Sequence, residues 1–174
     1  MKKRSTVQNM AFAGLFAALV CVMTLVVRIP SPTGYTNLGD CMILLGAFVL
    51  GPVWGFAAGG IGSMIADLLA GYASYAPATF LVKGCIALIA ALLCRAFQKH
   101  GKLNVPARIL SCTVGELFMV AGYLVFETWI MGYGAAALES VPGNLMQGLV
   151  GIVLGIVLYR LLAKTPILKE GSGF

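Results

Sequence analysis

Two ionisable side chains stand in this chain where a polypeptide tolerates them least. In the stretch 51–84, GPVWGFAAGGIGSMIADLLAGYASYAPATFLVKG, Asp67 falls near the end of an apolar, glycine-studded run and Lys83 falls inside the next one. At the centre of a membrane helix such a group costs roughly 2.5–3.5 kcal/mol on insertion scales, and chains retain it where it meets a polar cavity or a partner. An acid and a base in one pocket can hold a small molecule or ion, or move a proton in catalysis. A third reading is structural: an ion pair fastening two helices.

Little else supports catalysis. No nucleophile–base signature, metal cluster or lipid-headgroup motif accompanies the pair, and neither GxxxxGK[ST] nor GxGxxG occurs. The five cysteines (21, 41, 85, 94 and 112) lie in or beside apolar runs without a CxxC, and His100 stands alone. These thiols read as small buried hydrophobes, with no metal and no cofactor expected.

The elements that must position Asp67 and Lys83 follow from composition. The chain has 174 residues, 60% hydrophobic and 10% charged, with mean hydropathy +0.95. An ordinary soluble domain is about a quarter charged, so this is an integral membrane protein. At about 20 residues per crossing, the length predicts an all-α membrane protein, residues 1–174 forming one domain of six transmembrane helices. Nothing is left over for an ATP-hydrolysing module. The net charge of +6 lies in loops between apolar runs, a distribution that argues against nucleic acid as a partner.

A basic tail, Met1–Arg4, precedes span 1 (10–27), which Arg28-Ile29-Pro30 ends; it reads as an uncleaved span. Pro30, Pro32 and Gly34 predict an irregular loop to Asn37. Span 2 (38–50) is short for a full crossing and is expected to start below the surface, under that loop. Gly51-Pro52 turns the chain into span 3 (53–70), and Pro77 opens span 4, to Phe97. A polar loop with Arg95, Lys99, His100, Lys102 and Arg108 leads to span 5 (109–130), and Pro142 starts span 6, to Leu162.

With six spans both termini share a side, and that side holds ten of the twelve Lys and Arg residues. Both termini are therefore expected in the cytoplasm. Depth follows. Asp40, Asp67, Glu127, Asn144 and Gln147 fall in the outer half, with Lys83 about 9 Å below Pro77 at 1.5 Å per residue. Asn37, Tyr72, Tyr75 and Trp129 lie at the same level, whereas the inner half holds one comparable group, Glu116. Polar side chains from five spans thus gather towards the outside, as a pocket open to that side requires. The bland reading, solvated interfacial groups, fits Glu139 and Asp40 better than Asp67 and Lys83.

Small residues form stripes at helical spacing: Gly55, Gly59, Gly62 and Ala66 in span 3, and Gly148, Gly151 and Gly155 in span 6. Most such stripes are packing surfaces. Span 1 carries Ala13 and Ala17, facing either another helix of the bundle or another membrane subunit.

Taken together, Ala13xxxAla17, Asn37-Leu-Gly-Asp40, Gly51-Pro52, Gly60-Ile-Gly62, Ala66-Asp67-Leu-Leu, Gly71-Tyr72, Tyr75-Ala-Pro77-Ala-Thr79 and Lys83-Gly84 resemble the substrate-binding S components of energy-coupling factor (ECF) vitamin transporters. The nearest likeness is to the riboflavin-type subfamily, with its pyridoxine and hydroxymethylpyrimidine carriers. The resemblance is specific from Asn37 to Gly84; spans 5 and 6 match in pattern only.

It implies a protein that captures a vitamin or precursor from outside, with a transmembrane coupling subunit and two ATPase subunits as partners. Ala13 and Ala17 would meet the coupling subunit, and the loop 28–37 would gate the pocket. The candidate substrate contacts rest on depth: Asn37, Asp40, Asp67, Tyr75, Lys83, Glu127, Asn144 and Gln147. The competing reading is a self-sufficient transporter or channel, and after it a membrane enzyme.

Overall fold

In the computed structural model, which describes residues 5–31, 34–98 and 105–164, the bundle has six helices and four of them pack around a fifth, the second in chain order. Ser5 starts α1 (Thr6–Val26) with a capping box: its hydroxyl accepts from the Gln8 N–H while the Gln8 side chain accepts from the Ser5 N–H. A short antiparallel hairpin follows, β1 (Arg28–Ser31) against β2 (Gly34–Asn37), with Arg28 opposite Asn37 and Ile29 opposite Thr36. The expected irregular loop is thus a paired ribbon.

The central element is α2 (Gly39–Leu50), in which every residue except Met42 is buried. A helix apolar on all sides belongs in a core. Its 12 residues rise about 18 Å, well short of the ~30 Å hydrocarbon core. The all-α membrane architecture thus has six helices, five of them long apolar spans, with α2 the short one that span 2 was expected to be.

Gly51, at φ +77°, turns the chain into α3 (Pro52–Ala70) with Pro52 at the first helical position. Gly71, left-handed at φ +86°, ends α3 and donates its N–H back to Leu68. Next come α4 (Ala76–Phe97), α5 (Val105–Val125), a π-helical turn (Phe126–Ile130), a 3-10 segment (Gly134–Glu139) and α6 (Ser140–Leu162).

Around α2, the helices α1, α3, α4 and α6 all make contact. The glycine stripes read from sequence clasp it from two sides. A Cβ on Gly59 would stand 3.1 Å from Ile43 of α2, and one on Gly151 only 2.9 Å from the Asp40 Cβ. The core runs through Ile43, Leu44, Ala47, Phe48, Ile86, Ala90, Cys94, Cys112 and Met119. By contrast α1 is the least enclosed span, with Val7, Met10, Leu15 and Val22 exposed.

Two sequence expectations change here. Arg108, assigned to a loop, lies in the first turn of α5 and is buried, its guanidinium 3.7 Å from the centre of the Tyr159 ring and 4.8 Å from that of Phe48. Ala13 is buried with Phe16 and Leu45, and the Ala17 backbone carbonyl abuts Gly62 of α3. Ala13 thus packs inside the bundle while Ala17 stays half-buried, and the small residues of α1 left exposed are Ala11, Gly14 and Ala18. The tail Met1–Arg4, Pro32 and the loop residues Lys99, His100 and Lys102 lie outside the described residues, as does Lys169.

Candidate functional site

The hairpin and the adjoining helix ends enclose a cavity of about 590 Å³, its open mouth included. Each wall comes from a different element. Thr24 lies in the last turn of α1, and Tyr35, Thr36 and Asn37 lie on β2. Ser63, Asp67 and Tyr72 come from α3 and its end; Tyr75, Thr79 and Lys83 from the start of α4. Tyr123 and Glu127 descend from α5 and its π turn, and Ser140, Asn144 and Gln147 open α6. Tyrosines supply the flat surfaces: Tyr35 and Tyr72 lie 5.1 Å apart between ring centres, and Tyr75 meets Tyr72 edge-on.

Behind this space a hydrogen-bonded chain fixes the polar groups. Lys83 Nζ lies 2.6 and 2.9 Å from the two carboxylate oxygens of Asp40, with Met119 Sδ at 3.0 Å. Gln147 donates to Asp40 Oδ2 at 2.6 Å, and its carbonyl oxygen accepts the Asn37 N–H at 2.8 Å. Asn37 Oδ1 in turn accepts from the Gly39 N–H at 2.8 Å, serving the first turn of α2. One buried ion pair thus joins α2 to α4, and one amide joins the hairpin to α6. Asp40 is wholly buried, so the reading of it as a solvated interfacial acid is corrected: its carboxylate holds Lys83. The lysine's three N–H bonds are taken up by this set.

Asp67, on the other wall, is held separately. Tyr35 donates to its Oδ1 at 2.7 Å, tying the hairpin to α3. Beside it, Tyr123 donates to the Thr79 hydroxyl at 3.0 Å. Desolvation first, and the Asp67 carboxylate second, push the Tyr35 phenol above its ordinary value. It therefore stays protonated, and able to donate, through the neutral range.

Three residues of this region each carry a buried polar atom with no hydrogen-bond partner among the described residues: Thr24 Oγ1, Ser63 Oγ and Glu127 Oε2. All three residues line the cavity. A buried polar atom without a partner carries a desolvation penalty of about 1–3 kcal/mol, which a bound polar molecule can relieve. Glu116 is different. It is buried with both oxygens unpartnered, yet it packs against Gly148 and lies outside the cavity lining.

Of the eight candidate contacts read from sequence, Asn37, Asp67, Tyr75, Lys83, Glu127, Asn144 and Gln147 line the cavity, and Asp40 lies behind Lys83. Asp67 and Lys83 do not pair with each other; their partners are Tyr35 and Asp40. Trp129, grouped with the pocket aromatics by depth, is 80% exposed on the outer face. The π turn explains this, because its wider winding directs Glu127 inward while Trp129 and Ile130 point out. Thr24, Ser63 and Thr79 carried no sequence signal, since neutral hydroxyls inside apolar runs are common in packed membrane helices.

With this geometry in view, the relatives are informative. Residues 4–164 match the family described as "ECF-type riboflavin transporter, S component". The chain belongs to this family. As an S component it is a multi-pass membrane protein of a non-enzymatic transporter family, whose members work with an ECF module. It is 36% identical over 154 residues to a Pyrococcus woesei protein described as "Uncharacterized protein in gap 3'region", covering 86% of this chain and 99% of the relative. The "Thiamine precursor transporter HmpT" of Lactococcus lactis subsp. cremoris (strain MG1363) is 27% identical over 166 residues, covering 94% of this chain and 92% of the relative.

Two solved structures share the fold. The structure described as that of "the S component of a bacterial ECF transporter" superposes with a TM-score of 0.74 at 21% identity, over 91% of this chain and 97% of the other. The "S-component for biotin from an ECF-type ABC transporter" gives 0.66 at 15%, over 95% and 96%. At such identities the likeness speaks for the architecture of this S component and for nothing finer.

Proposed function

We propose that the hairpin-end cavity takes a flat, water-soluble vitamin precursor, with hydroxymethylpyrimidine first and pyridoxine second. The observation that carries this reading is a tyrosine-walled space edged by Asp67, Glu127, Asn144 and three unpartnered polar atoms. Tyrosine faces suit a small ring, and the surrounding acceptors suit its hydroxyl and amino groups. The relative named as a thiamine precursor transporter supports the pyrimidine over larger vitamins.

The Lys and Arg distribution favours cytoplasmic termini, which would turn the cavity to the outside. The loaded S component would then hand its ligand to a membrane coupling subunit driven by two ATPases, since this chain carries no nucleotide-binding pattern. Gly14 and Ala18, exposed on α1, with the half-buried Ala17 beside them, present a smoother outward face to that subunit than the buried Ala13. Mass spectrometry of small molecules retained through purification tests the ligand: a pyrimidine or pyridine carrying a hydroxymethyl group is expected, and a lipid or an amino acid would overturn the reading. Uptake by cells that express this chain without coupling and ATPase subunits would favour a self-sufficient transporter.

A further inference from the structure

Among the cavity's acidic and basic groups, Glu127 stands apart. Lys83 is spent on Asp40 and Met119, Asp67 is tied to Tyr35, and the Gln147 amide is occupied at both ends. Glu127 is 3% exposed, and its Oε1 has a long 3.4 Å contact from the Tyr75 hydroxyl. Its Oε2 has no hydrogen-bond partner among the described residues, and the neighbouring Ser140 hydroxyl is turned to the Ala137 carbonyl, to which it donates at 2.9 Å. The π-helical turn that carries it is a device frequent at functional sites, closed here by the Met131 N–H donating to the Phe126 carbonyl at 3.0 Å. A carboxylate only accepts hydrogen bonds. What this atom lacks is therefore a donor, and no cationic side chain of the cavity is free to supply one.

Resting on the function proposed above, we infer that Glu127 is a specificity-determining residue: its Oε2 accepts an N–H from an amino group on the substrate ring. A ring with an oxo group at that place would set lone pair against lone pair and leave Glu127 buried without a partner. The site thereby separates the two candidate substrates, since hydroxymethylpyrimidine carries such an amino group and pyridoxine does not. A hydrogen bond to a charged group corresponds to roughly a ten- to hundredfold difference in affinity.

The test is calorimetric titration of the purified full chain with three probes: 4-amino-5-hydroxymethyl-2-methylpyrimidine, its 4-oxo counterpart, and pyridoxine. The wild type is expected to prefer the amino compound over the oxo compound by about ten- to a hundredfold. Glu127→Gln, which offers the ligand a donor as well as an acceptor, is expected to erase most of that preference. Glu127→Asp is expected to keep the preference at weaker affinity. Equal wild-type affinity for the amino and oxo compounds, or an unchanged preference in a folded Glu127→Gln variant, overturns the role of Glu127 alone. Wild-type protein that binds none of the three overturns the proposed function with it.

Discussion

The two ends of this bundle bury polar groups under the same constraint and with opposite results. At the hairpin end, Thr24, Ser63 and Glu127 leave atoms unpartnered beside an open space. Further in, among the described residues, Arg108 leaves Nη1 without a hydrogen-bond partner beside the rings of Phe48 and Tyr159, and Glu116 leaves both oxygens without one against α6. Neither of those residues lines the cavity. An unpartnered atom beside empty space is available to a ligand, whereas one enclosed by side chains is a strain the fold carries. The functional end is thus marked by the coincidence of unused hydrogen-bonding capacity with volume, and burial of charge alone does not mark it.

The comparison breaks most visibly at Lys83. Lys83→Met leaves Asp40 charged and enclosed, and should destabilise the fold by about 3–5 kcal/mol. Chemical unfolding in detergent measures this, and adding Asp40→Asn should recover most of the loss. At the other end, Arg108→Met exchanges a stacked guanidinium for an apolar chain of similar length. The cation–π contribution, about 0.5–2 kcal/mol, is set against desolvation of the charge, so the same assay should show a change within about 1 kcal/mol. A large loss in both variants would mean that the two buried cations are equivalent.

The next effect concerns the helix pair that carries Asp67 and Lys83. A Cβ on Gly60 would stand 2.7 Å from the Phe80 carbonyl of α4. Gly60→Val should cost about 1–3 kcal/mol by overpacking and widen the cavity between these helices, read as lower thermal stability together with weaker ligand binding. The smallest effect is expected at the hairpin. Tyr35→Phe removes the 2.7 Å bond to Asp67 at a cost near 1 kcal/mol, and should appear chiefly as faster ligand release. Because the phenol's ordinary value is raised by burial and Asp67, the bond's stabilisation is intact below the unfolded tyrosine's value near 10. It is lost only as the pH climbs through the higher folded value.

Much of this was legible in sequence. Apolar runs broken by Pro, Gly and basic residues locate the spans, and the depth of each polar side chain along its span gathers seven of the cavity residues at one end. Rotation about each helix axis was not legible, so Lys83 was weighed against Asp67 although Asp40 is its partner. The hairpin is not legible because its four-residue strands themselves contain Pro30 and Gly34, turn signals as strong as their pairing signal. Arg108 escaped because a basic residue near a predicted helix start is ordinarily solvated, and only the tertiary arrangement of Phe48 and Tyr159 around it encloses it.

The division between the two ends is tested most directly by one pair of titrations. Asp67→Asn at the hairpin end and Arg108→Met at the other are titrated side by side with 4-amino-5-hydroxymethyl-2-methylpyrimidine. Asp67→Asn should weaken binding about tenfold or more, while Arg108→Met binds as the wild type does. Full affinity in Asp67→Asn together with lost affinity in Arg108→Met would place the ligand at the wrong end and contradict the account.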